Sequence, residues 1–69
     1  MQTNTIQISE QGKSWDEVTP TVLMFKDDKE VADFAYRLAL VTGREVRVSN
    51  EFKNGRYFHP SNAETYLKF

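Results

Sequence analysis

Apolar positions along this chain follow two rhythms, a short-range alternation in several brief stretches and a spacing of three and four in one long one. The long one is DDKEVADFAYRLALVTG, Asp27 to Gly43, where Val31, Phe34, Ala35, Leu38 and Val41 share one helical face and predict a helix lying on a core. Asp27 supplies the N-cap, Glu30 three residues later completes a capping box, and Gly43 marks the stop. Asp33 and Arg37 stand as an acid-before-base pair one turn apart. A second apolar row, Ala32, Tyr36, Ala39 and Leu40, occupies a neighbouring face. A helix this apolar needs cover on two sides, and in so short a chain the second cover is expected from another molecule, a homodimer partner or a heterologous one.

The alternating stretches predict strands. Thr5-Ile6-Gln7-Ile8-Ser9 places Ile6 and Ile8 inward, and Glu45-Val46-Arg47-Val48-Ser49 places Val46 and Val48 inward with Arg47 and Ser49 away. Thr21-Val22-Leu23-Met24-Phe25 is continuously apolar between Pro20 and the helix cap, which predicts a strand buried on both faces at the centre of the sheet. Between the first two strands, Gln11-Gly12 signals a turn, and Ser14-Trp15-Asp16-Glu17 has capping-box spacing. Pro20 limits that segment to one helical turn or an irregular strand, with Trp15 plugging an edge of the core.

Asn54-Gly55 is a two-residue hairpin signal, because both residues accept the positive φ of a type I′ turn. Counting outward sets Lys53 against Arg56, Phe52 against Tyr57 and Glu51 against Phe58. Phe52, Tyr57 and His59 then share the core face with Val46 and Val48, while Phe58 joins Arg47, Glu51, Lys53 and Arg56 on the opposite face. Ser61 to Glu64 repeats the capping-box pattern and predicts a short C-terminal helix to Phe69, with an edge strand Thr65 to Phe69 as the alternative. The element order gives a single α+β domain over residues 1–69, a small, mostly antiparallel sheet of three or four strands with one main helix packed on it and a short C-terminal helix.

Composition narrows the function. A 69-residue chain has a modest core, and without cysteine it has neither a disulfide framework nor a thiolate zinc site. The single histidine, His59, does not make a metal site, and no cofactor or metal is expected. Met1 to Thr5 carries neither the basic nor the apolar region of a secretion signal, and the apolar runs are too short to span a bilayer, so a cytoplasmic protein without membrane attachment is expected. Residues 1–35 hold three basic against seven acidic side chains, and residues 36–69 hold six against three, a weak pointer to an anionic partner for the second half.

Candidate chemistry is sparse. His59 beside Ser61 and Tyr57 is the one arrangement resembling a base with a nucleophile, and a structural or surface role is the preferred reading of a histidine at a strand end. Gly12, Gly43 and Gly55 are scattered at turns and form no phosphate loop, and helix capping accounts for Asp27, Asp28 and Glu30. A non-enzymatic binding module is therefore expected, with Tyr36, Arg37 and Leu40 on the surplus helix face and Arg47, Lys53, Arg56 and Phe58 on the hairpin face as partner-binding residues. The alternative is a small nucleic-acid-binding regulator, because the hairpin set combines positive charge with a stacking aromatic.

The size, the cysteine-free α+β layout and the lack of catalytic apparatus resemble the tiny accessory proteins of phages and mobile elements, such as anti-CRISPR and other host-takeover inhibitors. The resemblance rests on the profile of the whole chain and on no residue motif. It implies stoichiometric binding to a host protein in the host cytoplasm, occluding a surface that protein needs. A small transcriptional regulator shares the same profile.

Overall fold

The computed structural model describes residues 1–51 and 55–61. In chain order they form β1 (Gln2–Ile8), a 3-10 turn (Trp15–Glu17), β2 (Thr21–Phe25), α1 (Asp28–Thr42), β3 (Val46–Ser49) and β4 (Arg56–Phe58). The four strands make one antiparallel sheet in the order β2-β1-β3-β4, with α1 packed on one face. Since β2 and β3 both run antiparallel to β1, they are parallel to each other, and α1 carries the chain over β1 from one to the other. The expected α+β architecture stands. The C-terminal helix expected beyond Ser61, and the Phe52, Lys53 and Asn54 placements, lie outside the described residues.

The helix begins and ends where its capping residues dictate. Asp27 accepts a hydrogen bond from the Glu30 N–H at 2.9 Å, and Gly43 closes the helix in the left-handed region at φ 67°, its N–H donating to the Ala39 carbonyl. Glu30 reaches one residue further back than a capping box requires, its Oε1 accepting from the Lys26 N–H at 3.0 Å. Asp33 accepts from Lys29 Nζ at 3.1 Å, an ion pair with the residue one turn toward the N-terminus.

The buried stripe is rotated from the expected one. Val31, Ala32, Ala35 and Ala39 are buried, while Val41 is 84% exposed. Three alanines in that stripe let the helix lie close to the sheet, and the bulkier side chains flank it. Phe34 leans to one side against Phe25, ring centroids 5.3 Å apart, and Tyr36 leans to the other against Phe58, edge-on at 4.5 Å.

β2 is an edge strand and β1 a central one, the reverse of what apolarity suggests. Leu23 and Phe25 face the helix, whereas Val22 and Met24 are 61% and 64% exposed on the open face. β1 has partners on both sides, with Ile6 opposite Thr21 on one and Val48 on the other. Its polar side chains are accommodated individually. Asn4, 1% exposed, accepts from Asn50 Nδ2 at 2.7 Å and donates to Gln2 at 3.3 Å.

The β3–β4 register departs from the two-residue-turn expectation. Phe58 pairs with Val46, Tyr57 with Arg47 and Arg56 with Val48. Phe58 therefore stands five positions from the expected Glu51, and an odd displacement exchanges the two faces of β4. Phe58 is in the core at 5% exposure, and Tyr57 is on the open face. Burying a phenylalanine is worth about 1.5–3 kcal/mol, more than a turn preference supplies, so packing sets the register. Gly55 does adopt positive φ, +76°, as its place in the connection demands.

Candidate partner-binding surfaces

The seven expected partner-binding residues do not form the two surfaces read from the sequence. Arg47 and Arg56 are on opposite faces of the sheet. Arg56 lies on the helix side, its Nη1 donating to Asp28 Oδ1 at 2.7 Å with the guanidinium 5.3 Å from the Phe58 ring centroid. Phe58 is core, and Tyr36 packs on it, which binds these two side chains into the fold. Lys53 lies outside the described residues. Arg37 and Leu40 remain at the surface, with Leu40 48% exposed.

Arg47 belongs to a polar arrangement on the open face that the sequence did not announce. Gln7, 7% exposed, accepts from Arg47 Nη1 at 2.8 Å. Its Nε2 donates to the Trp15 and Val18 carbonyls, both at 2.9 Å. One side chain of the central strand thus holds the β1–β2 connection across the sheet. Ser14 and Glu17 shape that connection, Glu17 Oε1 accepting from both the Ser14 N–H and Oγ at 3.1 Å. Trp15 is half-buried on this open face, 5.9 Å from the Tyr57 ring, and is not the core plug expected of it. Alternation marks Gln7 as outward-facing, and only the long connection that returns over it gives the sequence any sign that it becomes buried.

His59 Nδ1 lies 2.8 Å from Ser61 Oγ and accepts from the Ser61 N–H at 3.2 Å. Both contacts come from one residue across Pro60 at an exposed position, the pattern of a side chain capping a local turn. Among the described residues, no group of three or more histidines, cysteines or acids is placed to hold a metal ion.

Two exposed apolar surfaces stand out. The first is on the last turns of α1, where Arg37, Leu40 and Val41 fall at three and four spacing on one stripe and exposed Arg44 follows the Gly43 cap. The second is β2 itself. Beside its helix face, a groove of about 640 Å³ lies between α1 and the sheet, lined by apolar Ile6, Ile8, Leu23, Phe34 and Leu38 and by polar groups that include Glu10, Thr21 and Arg44. No helix among the described residues is long and apolar enough to cross a membrane. Comparison of the chain with protein-family models, with curated proteins and with solved structures finds no match.

Proposed function

We propose that this protein is a non-catalytic binding module that acts by stoichiometric association with another protein through the C-terminal half of α1. The observation that carries the reading is the stripe Arg37, Leu40 and Val41, with Leu40 48% and Val41 84% exposed and Arg44 beyond it. Two aliphatic side chains flanked by arginines have the composition of an interface core and rim, and the cations favour a partner with acidic groups around an apolar patch. The resemblance of the chain's profile to phage and mobile-element accessory proteins supports a reading in which it works in a host cytoplasm by covering a surface of a host protein. The nucleic-acid alternative relied on Arg47, Lys53, Arg56 and Phe58 sharing one face; Arg47 is on the open face, Arg56 and Phe58 are on the helix side, and Lys53 lies outside the described residues.

Affinity capture from bacterial lysate, with and without nuclease, tests the reading. The wild type is expected to retain a protein in fixed proportion after nuclease treatment, and the double variant Leu40→Asp, Val41→Asp is expected to lose it. Both positions are exposed, so the fold should survive the change. Retention of nucleic acid alone, undiminished in the double variant, would refute the proposal.

A further inference from the structure

Natural edge strands usually carry a charge, a proline or a bulge that discourages further pairing. β2 has none of these between Thr21 and Phe25, with Pro20 before it and Lys26 after it. Among the described residues, its outer side has no paired strand. Val22 and Met24 are exposed on its open face, and the groove beside Leu23, Phe34 and Leu38 lies along its helix face. The hydrogen-bonding edge and the open-face row are thus both incomplete along the same five residues, and the groove reaches Thr21 and Leu23 among them. One added strand would complete the edge and the row.

We propose that this strand is β2 of a second copy of the chain, paired antiparallel about a two-fold axis at Leu23, so that the two sheets become continuous. The strand is complementary to itself in this register. Leu23 faces Leu23, and each Val22 faces the Met24 of the other copy, so the four exposed apolar side chains cover one another. Lys26 falls opposite Pro20, outside the paired residues, and no two charges meet. Sliding by two positions sets Lys26 against Val22 in one direction, and in the other sets Met24 against Pro20, which has no N–H to donate. A slip by one turns the second sheet over and separates the two grooves.

Five residue pairs fall short of a standard interface of about 1,600 Å², so the dimer forms in a concentration-dependent equilibrium. Because the two copies of Leu23 share a face, both α1 helices lie on the same side of the joined sheet. Two Leu40/Val41 patches are then presented together, which makes the dimer bivalent toward a partner. The dimer does not depend on what that partner is.

The absence of cysteine gives a direct test, since any single cysteine reports a contact between copies. Under oxidised glutathione, Leu23→Cys should form disulfide-linked dimers at least about tenfold faster than Val22→Cys or Met24→Cys. Position 23 meets itself across the axis with Cβ atoms about 5 Å apart, whereas positions 22 and 24 are displaced from their own copies by about 7 Å along the strand. Random collision gives the opposite order, because Val22 and Met24 are more exposed than Leu23. Equal rates or the opposite order would overturn the proposal. Should Leu23→Cys fail to fold, sedimentation decides. The wild type should pass from monomer to dimer as its concentration rises, and Val22→Lys with Met24→Lys should stay monomeric throughout. A wild type that is monomeric at millimolar concentration overturns the proposal, whether its edge stays bare, is covered by the chain's own residues or is taken by a strand of another protein.

Discussion

β1 and β2 lie side by side over five paired residues, and their chemistry is inverted relative to their positions. QTNTIQI is mostly polar and runs through the interior of the sheet, while TVLMF is wholly apolar but for its first residue and forms the rim. A strand's place is decided by what its neighbours offer each side chain. Asn4 and Gln7 are tolerated inside because Asn50, Arg47 and the Trp15 and Val18 carbonyls satisfy them. Val22 and Met24 are left outside because the helix covers only the other face.

Substitutions that separate the faces test this contrast. The largest effect is expected at β4, where Phe58→Ala should cost about 3 kcal/mol in denaturant unfolding and Tyr57→Ala about 1 kcal/mol. Equal costs would mean that the register, and with it the assignment of faces, is wrong. Within β1, Gln7→Leu should destabilise by about 2 kcal/mol, because it removes three hydrogen bonds at once, those to the Trp15 and Val18 carbonyls and the one from the Arg47 guanidinium. A neutral Gln7→Leu would show that the β1–β2 connection is held by something other than this side chain. Gly55→Val should cost on the order of 1 kcal/mol or more, since φ is +76° there and an added Cβ would come within 3.3 Å of the Tyr57 hydroxyl. The smallest effect is expected at the rim: Val22→Thr and Met24→Thr, measured at dilute concentration, should each stay within about 0.5 kcal/mol of wild type.

These contrasts also show where the sequence was readable. Helix α1 was legible from Asp27 to Gly43 because its caps act locally, through hydrogen bonds between residues three and four apart. The inward alternation of Ile6, Val46 and Val48 was legible for the same reason, each strand carrying its own period. The order of strands was not, because a run of apolar residues says that a strand has something to bury and not which neighbours it acquires. The β4 register was misread because the Asn54-Gly55 signal is short-range, whereas the position of Phe58 depends on Tyr36, distant in sequence and brought near only by the fold. Of the candidate site, Arg37 and Leu40 survive at the surface, while Arg56 is paired with Asp28 and Phe58 is buried, contacts that cross between elements and leave no mark in either segment alone.

Amide hydrogen exchange resolved by residue, at a concentration low enough to keep the chain monomeric, tests the inverted placement of β1 and β2 most directly. A strand with partners on both sides engages every amide in the sheet, while an edge strand leaves alternate amides to solvent. The structure predicts slow exchange at the consecutive residues Thr5 and Ile6, where β1 pairs with both β2 and β3, and an alternation of slow and fast exchange along β2. Uniform protection through Thr21–Phe25 together with a fast-exchanging amide at Thr5 or Ile6 would contradict it.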